Sequence, residues 1–394
     1  MFFGFTQSPE ISFGALFFYC QAMPLPESKE MMTANKYMRR ALVIASRGRG
    51  FVSPNPMVGA VVVKDGKIVG EGWHKEFGGD HAEVIAISVA GEQANGADLY
   101  VNLEPCSHHG KTPPCTDLII RSGIKKVLIG LQDPNQLVNG KGVAILQHHG
   151  IAVQTGILES ESKKLNEVFI KFITTRKPFV VFKYAMTLDG KIATVDNASR
   201  WITGEESRKI VHRLRHSISS VMVGVNTVIY DDPMLNVRLA GRKFKQPIKI
   251  IADSHLRISM EAKALGSEPQ LCLIATTEKA DKGKVIELRR RGSQVLICPE
   301  KDNRVDLHFL FDQLGRMDID GILLEGGSTL AFSALKYGLV DKVVAFIAPK
   351  ILGGASAPTP VGGAGIGAME DAMNLYAMRV RKIGADLMIE GYLK

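Results

Sequence analysis

The chain has 394 residues, 45% of them hydrophobic and 23% charged, and a formal net charge of +9. This is the balance of a globular protein with room for two or three domains, and it excludes a fibrous or disordered chain. Five cysteines are too few and too scattered for a disulfide scaffold, so a reducing compartment is expected, and positive charge spread along the chain suits a phosphorylated small molecule better than nucleic acid.

Residues 1–30 are aromatic-rich but lack a basic n-region and an unbroken apolar core, so they form neither a good signal peptide nor a membrane span. They are read as an extension of unknown role, ending in a linker "MPLPESKEMM", with Met31 or Met32 opening the first domain. "TANKYMRRALVIASRG" reads as a helix capped by Thr33 and stopped by Gly48. Two strands follow, joined by a hairpin turn at Asp65-Gly66. A helix then runs from His81 toward Gly96, "ADLYVNLEPC" is a strand, "CTDLIIRSG" a helix and "KKVLIGLQDP" a strand. This alternation predicts an α/β half with a mostly parallel sheet, closing near Gly156.

A charged helix and connector lead to Pro178, the expected boundary between domains 31–177 and 178–394. A second alternation follows: strand "FVVFKYAM", a helix from Gly204 to Ser219, then short apolar strands ending in "GILLEGG". It predicts a doubly wound sheet without the G-x-G-x-x-G dinucleotide fingerprint. "GGASAPTPVGGAGIG" reads as a mobile loop. Cys272 and Cys298 read as core residues, and "ELRRRG" as the exposed last turn of a helix.

The chemistry concentrates in two places. "DHAEV" sets His81 and Glu83 at the first turn of one helix, and "LEPCSHHGKTPPCTD" adds Cys106 and Cys115. A His-Cys-Cys set leaves zinc one open position, the arrangement of a catalytic site; His108 or His109 as a fourth ligand would make it structural. Cys115 opens a helix whose backbone N–H groups are expected to favour its thiolate. Zinc deaminases use H-x-E followed by P-C…C, with the Glu off the metal as proton shuttle, which is the role read for Glu83. In the second half, "EGGS" offers a helix mouth to a phosphate, and Arg215 and Arg238 offer a bidentate clamp. The same pieces also read as an ordinary loop and a solvated basic helix.

Eight residues separate Cys106 from Cys115, against two in the general deaminase pattern. The run from Pro105 to Cys115 meets the pattern P-C-x-H-x-G-x-T-P-P-C, and together with "SPNPMVGAVVV" and "GWH" it resembles the bifunctional riboflavin-biosynthesis deaminase/reductase family. The resemblance extends to "KYAMTLDGK", "NTVIYDDPMLNVR" and "EGG". It implies a zinc (cytidine-deaminase-like) deaminase domain followed by a dihydrofolate-reductase-like reductase domain that uses NADPH. Asn55, His74, His108 and Lys111 are then expected at the deaminase substrate. Ala185, Trp201, Thr227, Asp231, Ser254, Gly327, Ser328 and Thr329 are expected at the cofactor. Ser199, Arg215, Leu235, Arg238 and Glu325 are expected at the reductase substrate, with Lys183 and Asp231 as the polar groups nearest the hydride acceptor. A cytoplasmic homo-oligomer is expected, acting on a phosphorylated pyrimidine and contacting neither nucleic acid nor membrane. Two other readings remain open on the residues alone. One is a tRNA or other polynucleotide deaminase with a C-terminal binding domain; the other is a non-enzymatic module that zinc merely stabilises.

Overall fold

The computed structural model of the chain describes residues 28–107, 113–135, 139–241, 244–266 and 268–394. The expectations for His108, His109, Lys111 and residues 1–27 lie outside the described residues. The first helix, α1 (Lys29–Ala45), begins four residues before the expected start: Ser28, not Thr33, caps it by accepting from the Met31 N–H. The end of the expected linker is therefore helix, because the run Lys29–Met32 contains no Gly or Pro to interrupt it.

Strands β1 (Gly59–Lys64) and β2 (Lys67–Trp73) form the hairpin, and Asp65 and Gly66 both take the positive φ that such a turn requires (51° and 73°). Helix α2 (Ala82–Ala90) leads to β3 (Asp98–Leu103), α3 (Cys115–Arg121), β4 (Lys126–Leu131), α4 (Lys141–His148) and β5 (Ala152–Gln154). The sheet order is β2-β1-β3-β4-β5. Only the β3–β4 and β4–β5 pairings are parallel. The expected mostly parallel sheet is thus half antiparallel, because the tight hairpin reverses β1 against β2. The apolar run "GAVVV" is buried on both faces: Val61 and Val63 pack under α1 with Ile44 and Tyr37, Ala60 and Val62 under α2 with Ala86 and Ile87.

Helices α5 (Glu159–Leu165) and α6 (Glu167–Thr175) connect to β6 (Phe179–Thr187). Then come α7 (Glu205–Ser217), β7 (Ser220–Gly224), α8 (Val225–Asp231), β8 (Ile248–Ala252), β9 (Cys272–Thr276), α9 (Lys282–Arg290) and β10 (Gln294–Ile297). A small ladder of β11 (Glu300–Lys301) and β12 (Arg304–Val305) precedes α10 (Leu307–Arg316), β13 (Gly321–Gly326), α11 (Ser328–Lys336), β14 (Lys342–Ala348) and the hairpin β15 (Tyr376–Ile383) and β16 (Asp386–Tyr392). The large sheet runs β10-β9-β8-β7-β13-β6-β14-β16-β15, parallel except where β16 pairs with β14 and β15. Cys272 and Cys298 are core residues, as read, at 0% and 2% exposure. Arg290 and Arg291 at the end of α9 are exposed and paired with Glu287. Among the described residues no helix is long and apolar enough to cross a membrane.

Candidate active sites

The first site depends on how closely α2 sits on β2. A Cβ added at Gly70 or Gly72 would lie 2.2 and 2.4 Å from the carbonyl oxygens of Ala86 and Ala82. The two glycines let the helix settle onto the strand, which carries His81, its N-cap residue, and Glu83, in its first turn, to the ends of β3 and α3. There His81 Nδ1 lies 3.2 Å from Cys115 Sγ and 3.5 Å from Cys106 Sγ. The three donor atoms lie within 4.8 Å of one another. This is a soft N/S donor set of the size and chemistry that suit zinc.

The electrostatics agree. Cys115 and then His81 hold the Cys106 thiol down to about 4, while hydrogen bonding to Cys106 raises His81 to about 9. The pair is drawn toward thiolate and imidazolium, the state in which a divalent cation can replace the shared proton. One expectation is corrected here: the N–H of Cys115 donates to Cys106 Sγ at 3.3 Å, so the opening of α3 favours the Cys106 thiolate, while the Cys115 thiol is pushed up. A backbone N–H at a helix start points back along the chain, and Cys106 Sγ lies at that spot.

Glu83 is 3% exposed, and burial, followed by the charge of Cys106, raises it to about 7. A carboxyl poised there gives and takes protons near neutrality. Asn55 Nδ2 donates to His74 Nε2 at 3.1 Å, and His74 Nδ1 faces the Asp80 carbonyl at 3.0 Å. With that amide orientation His74 is the neutral tautomer carrying its proton on Nδ1, and burial lowers its pKa in agreement. Glu104 was missed in the sequence. It is 4% exposed and accepts the N–H groups of Asp133, Gly140 and Val143, tying the end of β3 to the start of α4. Its only sequence signal is an acid directly before Pro105-Cys106.

The second site is a cleft of about 1000 Å³ at the carboxyl ends of β7, β8 and β13, where open α/β sheets gather ligands. Thr227, Asp231, Ser254, Gly327, Ser328 and Thr329 line it, as does Ser199, whose Oγ donates to Asp231 Oδ1 at 2.7 Å. Ala185 and Trp201 are not among the lining residues. Gly327 has a φ of 89°, and a Cβ there would lie 3.4 Å from Gly224 Cα. The floor is therefore bare backbone at the mouth of α11, which fits the phosphates of a dinucleotide such as NADPH. The Gly-rich segment is not a free loop: Gly362 N–H donates to Ser328 O, and Pro358, Gly363 and Ala364 form one wall of the cleft.

A separate buried network joins the other reductase candidates. Arg215 forks onto both oxygens of Glu325, and Lys183 Nζ lies 3.7 Å from the same carboxylate. Burial lowers Lys183 against the pull of Glu325. Arg215 also donates to Asn236 O and Arg238 to Asn236 Oδ1. The fork of Arg215 thus faces Glu325 in this structure, not outward as a phosphate clamp, and Arg238 is the exposed cation. Leu235 is 2% exposed and packs in the core, so its side chain is closed to a ligand. Lys183 and Asp231, the two polar groups expected near the hydride acceptor, have different partners: Lys183 lies beside Glu325, and Asp231 accepts from Ser199. His212 was missed. It accepts the Arg238 N–H at 3.2 Å, and burial, then Arg215 and Arg238, bring it down to about 4. Its signal was its place three residues before Arg215, on one helix face.

Residues 31–131 match the model of the cytidine and deoxycytidylate deaminase zinc-binding region, and residues 178–389 match that of the RibD C-terminal domain. The riboflavin biosynthesis protein RibD of Actinobacillus pleuropneumoniae is 46% identical over 93% of this chain and 97% of its own length. That of Aquifex aeolicus is 46% identical over 90% of this chain and 96% of its own. The structure of Acinetobacter baumannii RibD superposes with a TM-score of 0.85 at 36% identity, covering 92% of this chain and 99% of that one. A Thermotoga maritima diaminohydroxyphosphoribosylaminopyrimidine deaminase/5-amino-6-(5-phosphoribosylamino)uracil reductase gives 0.81 at 37%, covering 93% and 100%. Fold and sites together define a two-headed enzyme, an N-terminal zinc deaminase joined to a C-terminal NADPH-dependent reductase. The chain belongs to the RibD family of riboflavin-biosynthesis proteins.

Proposed function

We propose that the first site hydrolytically deaminates 2,5-diamino-6-(5-phosphoribosylamino)pyrimidin-4(3H)-one and that the second reduces the ribosyl chain of the resulting uracil to ribityl. The observation that carries this is the buried Glu83 beside the His81, Cys106 and Cys115 donor set. Zinc, when bound by these three residues, supplies a Lewis acid that acidifies water toward neutral pH. Glu83 takes the water proton and passes it to the ring nitrogen; it then takes the proton of the hydroxyl added to the ring carbon and delivers it to the amine, which leaves as ammonia while the carbonyl forms. Asn55 and neutral His74 orient the pyrimidine, with His108 and Lys111 as further contacts.

NADPH, when bound in the cleft, supplies hydride to the first carbon of the ribose. Thr227, Ser254, Gly327, Ser328 and Thr329 hold it, with Ala185 and Trp201 at its edge. Ser199 fixes the Asp231 carboxylate, while Glu325, itself gripped by Arg215, holds the Lys183 ammonium; Lys183 and Asp231 flank the reacting carbon. Arg238 holds the substrate phosphate, and the Leu235 main chain borders it.

The domains are taken as 31–177 and 178–394, preceded by an extension at 1–30. A homo-oligomer is supported by β15, an edge strand whose Met378 and Val380 are 59% and 57% exposed. A cytoplasmic location is supported by Cys272 and Cys298, both buried and outside any disulfide. The test is one incubation of zinc-loaded protein with the pyrimidine. Ammonia release without NADPH, followed by NADPH oxidation once the uracil has formed, is expected. Absence of ammonia release, or NADPH oxidation by the undeaminated substrate, overturns the assignment.

A further inference from the structure

The two halves meet along the segment that carries Asn55. A Cβ on Gly50 would lie 2.2 Å from the carbonyl oxygen of His216, at the end of α7, and the Phe51 ring packs edge-on against the His216 ring with centroids 4.8 Å apart. Two residues further on, Ser53 Oγ donates to Asp320 Oδ1 at 2.8 Å. Asp320 is 4% exposed and immediately precedes β13, the strand whose far end carries Glu325. The end of the segment reaches the first site: Asn55 N–H closes a turn onto Val52 O at 2.8 Å, and Asn55 Nδ2 meets His74 Nε2, whose ring lies 5.8 Å from that of His81. A cavity of about 160 Å³ runs along the seam, with Arg49, Asn55, Asn166 and Asp320 in its wall.

We infer that Asp320, a residue of the reductase half, is a positioning residue for the deaminase: through Ser53 it fixes the turn that presents Asn55 beside His74. The inference rests on the reading of Asn55 as a substrate contact. A buried carboxylate is a strong acceptor, and a hydroxyl held by it loses its freedom when the chain folds and not when substrate arrives. The link acts on ground-state positioning, so its loss shows in KM and leaves kcat in place. Because Asp320 lies at the end of β13 remote from Glu325, reduction does not depend on it.

The test uses full-length, zinc-loaded variants. Ser53→Ala and Asp320→Ala each raise the deaminase KM roughly fivefold to tenfold with kcat held within about twofold. The double variant is no worse than Asp320→Ala alone. Asp320→Asn, whose amide oxygen still accepts the hydroxyl, restores KM. Reduction of the deaminated substrate is unchanged throughout. An unaltered deaminase KM in Ser53→Ala overturns the inference, and so does an Asp320→Asn variant as impaired as Asp320→Ala. If Asp320→Ala does not fold, Ser53→Ala, which removes one hydroxyl, still decides. Asn55→Ala tests the underlying reading separately: a wild-type KM there removes Asn55 as a substrate contact and with it the route, whereas a raised KM with a silent Ser53→Ala sinks the link alone.

Discussion

Arg215 grips Glu325 with both arms of its guanidinium, Nε 2.6 Å from one carboxylate oxygen and Nη2 2.8 Å from the other. The two side chains are only 12% and 6% exposed. Burial pushes Glu325 up, Arg215 and Lys183 together pull it further down, and it settles at about 2 from an ordinary value of 4.5. The folded chain therefore takes up this proton less readily than the unfolded one. The stability drawn from the pair is complete above about pH 4.5 and is lost as pH falls toward 2. Urea unfolding of the full chain between pH 7 and pH 3 is expected to show that fall, and Glu325→Gln to show a flatter one. At pH 7 the variant is weaker by about 3–5 kcal/mol, because Arg215 is left buried without its counter-charge. Parallel pH curves for the two proteins would contradict this.

Arg238 and Arg215 are expected to fail differently. Arg238 is exposed and among the described residues has no carboxylate holding it, only Asn236 Oδ1, so Arg238→Ala lowers reductase kcat/KM by about 1.5–3 kcal/mol, tenfold or more, and leaves the unfolding curve alone. Arg215→Ala strands Glu325 and shifts the unfolding curve first. Steady-state kinetics beside denaturant titration separates the two, and matching profiles would remove the distinction. Deamination is untouched in Arg238→Ala.

Glu83→Gln keeps the shape of the first site and its three metal donors while removing the proton carrier. Deamination is expected to drop roughly 10²-fold or more, with zinc content and NADPH oxidation on the deaminated substrate both preserved. Chelation, by contrast, removes metal and deamination together and spares reduction. Near-normal ammonia release from Glu83→Gln would end the assignment of its role.

Where the chain can be divided is a sharper question than Pro178 suggests. Helix α6 precedes that proline, yet its Lys171 lies 2.7 and 2.6 Å from the two oxygens of Asp341, and its Glu167 pairs with Lys342 at 3.0 Å. Val168 of the same helix packs on Phe179, Val181 and Leu323. A fragment of residues 166–394 is thus expected to resist urea better than one of residues 178–394 and to bind NADPH more tightly by fluorescence titration. Equal stability of the two fragments would show that α6 adds nothing to the large sheet.

Much of this was readable from the sequence because it is local. His81 and Glu83 lie two residues apart, Cys106 and Cys115 bracket one loop, and Asp65-Gly66 fixes its own hairpin; each pattern carries its geometry within a single turn. The parallel core strands were legible as apolar runs for the same reason. What stayed hidden depends on partners distant in the chain. The direction of the Cys115 amide depends on where the loop brings Cys106. The engagement of Arg215 depends on a carboxylate 110 residues away, and that of Ser53 on one 267 residues away. Beyond its place before Pro105-Cys106, Glu104 gave no sign of its role, because its partners are main-chain amides, which have no sequence signature.

Gly363 draws a consequence from the Gly-rich wall of the reductase cleft. Its φ is 78°, and a Cβ there would lie 2.2 Å from the ring of Phe332, itself a cleft residue. Any side chain must displace that ring or tear the wall from α11. A mutational scan read only for lost growth without riboflavin would therefore rank this glycine with the charged residues of the site, although it offers the ligand no functional group.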